Sequence, residues 1–261
     1  MTFGLIIIGD EILSGRRHDK HMAKVIELLA ARGHALAWAR YIGDERPQIT
    51  AALKDALASG DIVFSCGGIG ATPDDHTRQC AAAASGRPLA LHPEAKRLIE
   101  ERMRDVAIEQ GVPFEPDRAD NVHRLNMGVF PEGAELIPNP YNKIPGFSLG
   151  DVHFVPGFPV MAHPMIEWLL DHRYGHLKPV AHAERALYVK GSMEATLTPL
   201  MEHIEATFAG VRVFSLPSVD HPQRGRHIEL GVKGEPASVD AAFVALQAGL
   251  RALPSVEFGT E

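Results

Sequence analysis

The chain has 261 residues, of which 45% are hydrophobic and 23% charged, with 26 Lys and Arg against 33 Asp and Glu for a formal net charge of −7. This is the composition of an ordinary globular protein, long enough for one large domain or for one medium and one small domain. The acidic balance excludes nonspecific nucleic-acid binding, and the two cysteines, Cys66 and Cys80, make no disulfide framework and have no metal-ligand spacing.

The first apolar run, Leu5–Ile8, predicts a buried strand and ends at Gly9, with Asp10 and Glu11 behind it. Without a basic region ahead of it, the run is neither a signal peptide nor a membrane span, which predicts a cytoplasmic protein with no membrane partner. His21–Arg32 has helical periodicity, with Met22, Val25, Ile26 and Leu29 on one face, Gly33 as the stop and Asp19 as an N-cap. Leu36–Ile42 predicts a second strand, Pro47–Ala58 a helix and Ile62–Cys66 a third strand, apolar as a central parallel strand should be. Helices follow at Asp74–Ser85 and Pro93–Gln110. Gly111–Gly150 is rich in Pro and Gly, with short strands expected at Met127–Phe130 and Leu136–Pro138. Val152–Val155 predicts another core strand and Val160–Leu170 its helix.

Arg173–His182 is polar and broken by Gly175 and Pro179, which places a boundary between a domain of residues 1–178 and a smaller one of residues 183–261. The latter reads as β-α-β-β-α: Arg185–Lys190, Glu194–Phe208, Val211–Leu216, His227–Val232 and Val239–Leu253. Alternating strands and helices in the first domain predict an α/β fold with a mainly parallel sheet, and the second domain is a small α+β unit.

Chemistry concentrates where strands end. Leu5–Ile8 runs into Gly9-Asp10-Glu11, Leu36–Ile42 into Gly43-Asp44, Ile62–Cys66 into Gly67-Gly68-Ile69-Gly70-Ala71-Thr72, and Val152–Val155 into Pro156-Gly157. In open α/β sheets, ligands bind outside the carboxyl ends of the strands. The glycines of the third segment let the backbone approach a ligand, and Thr72 and Pro73 read as N-cap and first residue of a helix whose free amides favour a phosphate. Asp44 and Asp75 beside a phosphate call for a cation, which points to Mg²⁺. Thr72-x-x-Asp75 is equally a near-capping box, in which Asp75 serves only the helix N-terminus. His76 stands beside this loop, facing either a ligand or solvent, and Cys66 reads as a small core residue. G-x-G-x-x-G at the first strand end and Gly-Lys-Ser/Thr after a glycine loop are both missing from the sequence, which sets aside dinucleotide Rossmann sites and P-loop NTPases.

Five segments in order, Gly9-Asp10-Glu11-Ile12-Leu13-Ser14-Gly15, Gly43-Asp44, Gly67–Thr77, Pro145-Gly146-Phe147 and Pro156-Gly157-Phe158-Pro159, resemble the molybdopterin-binding MoaB/Mog superfamily. The nearest likeness is to the N-terminal region of CinA-type competence/damage-inducible proteins, over roughly residues 1–175. The resemblance implies a three-layer α/β/α fold, a homo-oligomer, and molybdopterin or another small phosphorylated pterin or nucleotide as ligand. It adds Ser14 to the ligand-binding residues and places catalysis on Asp44 and Asp75. Adenylylation of molybdopterin and hydrolysis of ADP-ribose-like pyrophosphates are the activities it implies. Mog-type loops read Gly-Gly-Thr-Gly, and Ile69 here lacks the threonine hydroxyl as a phosphate donor, which counts against adenylylation.

Overall fold

Six consecutive buried residues make β1 (Phe3–Ile8), and the helix α1 (Asp10–Leu13) follows at once. The chain continues through α2 (His21–Ala30), β2 (Leu36–Ile42), α3 (Arg46–Ser59), β3 (Ile62–Cys66), α4 (Thr77–Ser85), β4 (Leu89–Leu91) and α5 (Pro93–Gln110). After α6 (Ala119–Arg124) and a 3-10 turn at Leu125–Gly128 come β5 (Val129–Pro131), β6 (Glu135–Ile137), β7 (Gly146–Leu149), β8 (Val152–Val155) and α7 (Pro159–His172). The computed structural model describes residues 2–179, 183–254 and 256–259, so residues 180–182 of the expected boundary and residues 255, 260 and 261 of the expected second domain lie outside the described residues. Two compact units divide the chain, Met1–Lys178 and Pro179–Glu261.

In the first unit a sheet runs in the order β2-β1-β3-β8-β7-β6. The β2, β1, β3 and β8 strands are mutually parallel neighbours, and β7 and β6 extend the sheet antiparallel. Successive residues of a strand face opposite sides, and the core follows that rule. Leu5, Ile7, Ile62 and Phe64 pack with Val25 and Leu29 of α2 and Met165 and Leu169 of α7. On the other face, Ile6, Ile8 and Val63 pack with Ile49 and Leu53 of α3 and Cys80 and Ala81 of α4. Helices thus cover both faces of a mainly parallel sheet, the three-layer α/β/α arrangement. Burial pushes the Cys66 thiol well above its ordinary range, as befits a core residue.

The α2 helix is rotated from the expected face. Val25, Leu28, Leu29 and His21 are buried, whereas Met22 is 36% and Ile26 44% exposed. The Asp19 carboxylate fixes this rotation by accepting from the amides of His21 and Met22 at 2.7 and 3.1 Å. The Gly111–Gly150 stretch holds more order than its composition indicates. Met127 belongs to the 3-10 turn rather than to β5, and β7 and α6 are additions to the sequence reading.

Deep beside β7 and β8, Tyr174 donates its hydroxyl to Asp151 at 2.7 Å and accepts from His153 Nε2 at 2.6 Å, while Ser148 Oγ donates to His153 Nδ1 at 2.7 Å. Burial, reinforced by the Arg173 charge, pushes the imidazole down to about 3, so His153 is neutral at physiological pH.

The second unit comprises β9 (Ala183–Lys190), α8 (Glu194–Thr207), β10 (Val211–His221), β11 (Gly225–Gly234), α9 (Pro236–Arg251) and β12 (Glu257–Gly259). Its sheet is antiparallel in the order β10-β11-β9-β12, with β12 added to the anticipated β-α-β-β-α order. Leu187 and Val189 of β9, Leu230 and Val232 of β11, and residues from both helices form its core. Among the described residues, no helix is long and apolar enough to cross a membrane.

Candidate functional site

Because β2, β1, β3 and β8 are parallel neighbours, their carboxyl ends bring four loops to one edge of the sheet. A cleft of about 390 Å³ opens there, within the size range of small-molecule sites. Gly9, Glu11, Asp44, Gly67, Gly68, Ile69, Gly70, Ala71, Thr72, Asp75, Pro156 and Gly157 all line it. Asp10 and Ser14 lie outside the lining, Asp10 turned to Asp44 and Ser14 exposed at the end of α1. A larger cleft of about 630 Å³ in the second unit carries none of the residues singled out in the sequence.

The glycine loop has a strained geometry that only glycine accepts. Gly67 has φ +109° and Gly68 φ +68°, and a Cβ on them would stand 2.3 Å from the Ile8 carbonyl oxygen and 2.2 Å from Thr77 Oγ1. Most of the loop's carbonyls are held from behind. Gly67 O accepts from Thr77 Oγ1 at 3.0 Å, Gly68 O from the Thr77 amide at 3.0 Å and Ala71 O from His123 Nε2 at 2.7 Å. Ile69 O accepts from the buried Arg78 guanidinium, and Thr72 O from the Asp75 amide at 3.0 Å. The amides of Gly68, Ile69, Gly70 and Ala71, by contrast, have no acceptor among the described residues. A run of unpaired backbone N–H groups beside a cleft is a site for an anion.

This receptor is not the helix start that the sequence indicates. The α4 helix begins at Thr77, after His76, so Thr72 and Pro73 are not its cap and first residue. Thr72 is bonded instead to Asp75 Oδ2, through its amide at 2.8 Å and through its hydroxyl. The capping signal closes a turn on itself, and the helix waits until Gly68 O has taken the Thr77 amide. His76 lies outside the cleft lining. Ile69 meets the cleft only as part of the loop, since its residue is 6% exposed and belongs to the hydrophobic cluster beneath the sheet. A side chain at this position points to packing rather than to phosphate recognition.

Acidic groups gather at the ends of β1 and β2. Asp10 N donates to Asp44 Oδ2 at 3.0 Å, and Asp44 N donates to Asp10 Oδ1 at 3.2 Å. Burial, and then the charges of Asp10, Glu11 and Asp74, hold the Asp44 carboxyl above the usual carboxylate range against the pull of the Asp10 amide. Among the described residues no group of three or more His, Cys, Asp or Glu side chains could hold a metal ion alone. Mg²⁺ commonly takes one or two carboxylates and fills its shell with phosphate oxygens and water, so Asp44 and Asp75 fit that ion only together with a ligand.

Several residues of the site gave no local signal. His21 is 4% exposed, and its Nε2 donates to the Gly157 carbonyl at 3.0 Å, across 136 positions of chain. Arg78, 4% exposed, puts a cation under the loop, where burial lowers its pKa and the nearby Asp75 opposes that. Arg17, Asn139, Asn142 and Phe158 are among the further residues that line the cleft.

A mainly parallel α/β sheet with ligand-approachable loops at its strand ends defines a small-molecule-binding α/β protein. The model of a family described as "Probable molybdopterin binding domain" matches residues 4–176, and the chain belongs to that family. It is 31% identical over 208 residues to a protein of Metallosphaera sedula, covering 78% of this chain and 75% of that one. A CinA-like protein of Syntrophotalea carbinolica is 30% identical over 227 residues, covering 80% of this chain but 51% of its own length. The chain thus spans about half of that CinA-like relative. Among solved structures, the protein CinA with unknown function from Thermoplasma acidophilum aligns with a TM-score of 0.55 at 26% identity, over 66% of this chain and 98% of that one.

Proposed function

We propose that the first unit binds a phosphorylated pterin or nucleotide in the strand-end cleft and hydrolyses a nucleotide pyrophosphate such as ADP-ribose with the help of Mg²⁺. One observation carries the reading: the amides of Gly68, Ile69, Gly70 and Ala71 have no acceptor among the described residues, while most of the carbonyls around them are tied down. Such amides are already oriented and stabilise phosphate charge without reorganising. Membership of a molybdopterin-binding family supports a pterin-type ligand. Asp44 and Asp75 would hold Mg²⁺, which supplies charge neutralisation at the phosphate. Glu11 lines the cleft and orients the attacking water, a task Asp10 does not share while it is bonded to Asp44. The loop amides hold the phosphate in place and Arg78 keeps the Ile69 carbonyl turned away.

A second reading, a carrier or sensor without turnover, draws on the bond between Asp75 and Thr72, which gives Asp75 a structural task. A thermal-shift and turnover panel with Mg²⁺ separates the readings, using molybdopterin precursors, ATP, ADP-ribose and FAD. A ligand that binds only the native state raises apparent stability. Turnover of ADP-ribose supports hydrolysis, transfer from ATP to a pterin supports adenylylation, and binding alone supports the carrier. Asp75→Asn then loses turnover but keeps binding if the enzyme reading holds. If no phosphorylated compound shifts the melting temperature, the proposal fails.

A further inference from the structure

We infer that Phe158 is the platform on which a planar heteroaromatic ring of the ligand stacks, with Arg17 as its counter-wall. The inference rests on the phosphate reading above and concerns the other end of the same molecule. Phe158 is 54% exposed, a large apolar surface left open on the rim of the cleft. Its backbone is fixed, because Phe158 O accepts from the amides of Met161 and Ala162 at 3.0 and 2.9 Å as α7 begins. The preceding Gly157 is held by His21 and packs against the phosphate loop, a Cβ there standing 3.4 Å from Gly67 Cα. The ring therefore projects from a rigid support that abuts the anion receptor.

Arg17 faces it, with the guanidinium carbon 6.0 Å from the Phe158 ring centroid. Its amide is anchored to Glu11 O at 2.9 Å, and its side chain has no acidic partner among the described residues. Six ångströms is a loose cation–π contact. A planar ring between two stacking partners needs roughly 7 Å, twice the ordinary stacking distance, so a small outward swing of the flexible Arg17 admits one. Arginine planes and aromatic rings are the usual surfaces on which bases stack. The shared chemistry of a nucleobase and a pterin, a flat heteroaromatic ring joined to a phosphate through a polyhydroxylated linker, matches both ends of the cleft.

The test compares ligands that differ by the ring alone: AMP against ribose 5-phosphate, and neopterin monophosphate against glycerol 3-phosphate, titrated into the full chain with Mg²⁺. In the native protein the ring-bearing member of one pair binds about tenfold more tightly or better, and that pair identifies the ring. Phe158→Leu erases the difference while leaving the ring-free member unchanged, and Phe158→Trp preserves it. Arg17→Ala reduces the ring-dependent gap by a smaller factor. A gap that survives Phe158→Leu overturns the platform while leaving the phosphate reading intact. Should all four compounds fail to bind the native protein, the phosphate reading itself is refuted and the platform with it.

Discussion

Asp10 and Asp44 cap one another: each gives its amide to the other's carboxylate, at 3.0 and 3.2 Å. The pair ties the end of β1 to the end of β2 and leaves Asp44 partly buried among negative charges. A carboxyl raised by folding binds its proton more tightly in the native state. Stability is therefore lost as pH rises from the unfolded value through the raised one, and the cost is complete above it. Asp44→Asn should raise the melting temperature at pH 7, and the advantage should vanish below about pH 4, the unfolded-state range. Partial exposure and solvent screening keep the effect at about 1 kcal/mol or less, a few degrees. Melting curves at pH 7 and pH 4 decide it, and equal melting temperatures at pH 7 would sink the idea. The same substitution should abolish turnover.

His21 is expected to matter to binding although it does not line the cleft. His21→Ala strips the Gly157 carbonyl of its donor and leaves a cavity, a loss of about 2–3 kcal/mol in stability. His21→Gln, with an amide that can donate, should recover part of it. Urea unfolding and ligand titration of both variants provide the check: a glutamine no better than alanine would argue against the hydrogen bond.

Restoring the hydroxyl at position 69 should not help. In Ile69→Thr the new hydroxyl enters the apolar cluster under the sheet, at a cost of about 1–2 kcal/mol. Affinity for AMP or ADP-ribose should stay within a factor of about two, well under 1 kcal/mol. A marked gain in affinity would show that the side chain faces phosphate after all.

His153 should govern acid sensitivity. Its pKa is depressed to about 3 by burial, so the unfolded chain takes up its proton first as pH falls below about 6.5. The stability of the neutral buried imidazole is thus present above pH 6.5 and is lost on acidification, at up to about 1.4 kcal/mol per pH unit. His153→Gln should be less stable at pH 7 but fall more slowly between pH 6.5 and 5. Urea midpoints across that range measure the difference, and parallel slopes would refute the assignment.

What the sequence discloses and what it hides follow from how each feature is encoded. β3 and β8 are legible to the residue because they are short buried runs stopped by Gly67 and Pro156, and β2, with Arg40 in it, is bounded by Gly43. The alternation with helices indicates a mainly parallel sheet, whereas adjacency of the strands is an assumption at the level of sequence, and the strand order supplies it. The start of α4 is not legible, since Thr72 and Asp75 satisfy each other and so silence a local capping signal. β4, β7 and β12 are short, and no periodicity builds up over three or four residues. His123 and His21 reach the loops across 52 and 136 positions of chain, and Thr77 and Arg78 reach back 10 and 9 positions to Gly67 and Ile69. Local patterns cannot reveal such partners.

The sheet order has a bearing on when this protein becomes competent. Its receptor draws on loops after β1 and after β8, the latter ending only at Val155. A ribosome-bound chain that stops short of the Pro156–Phe158 turn has one wall missing, however well its early strands have condensed. Long-range strand closure is the slow event in such topologies, so capture of a small phosphorylated compound would report that the last parallel strand has slotted into place.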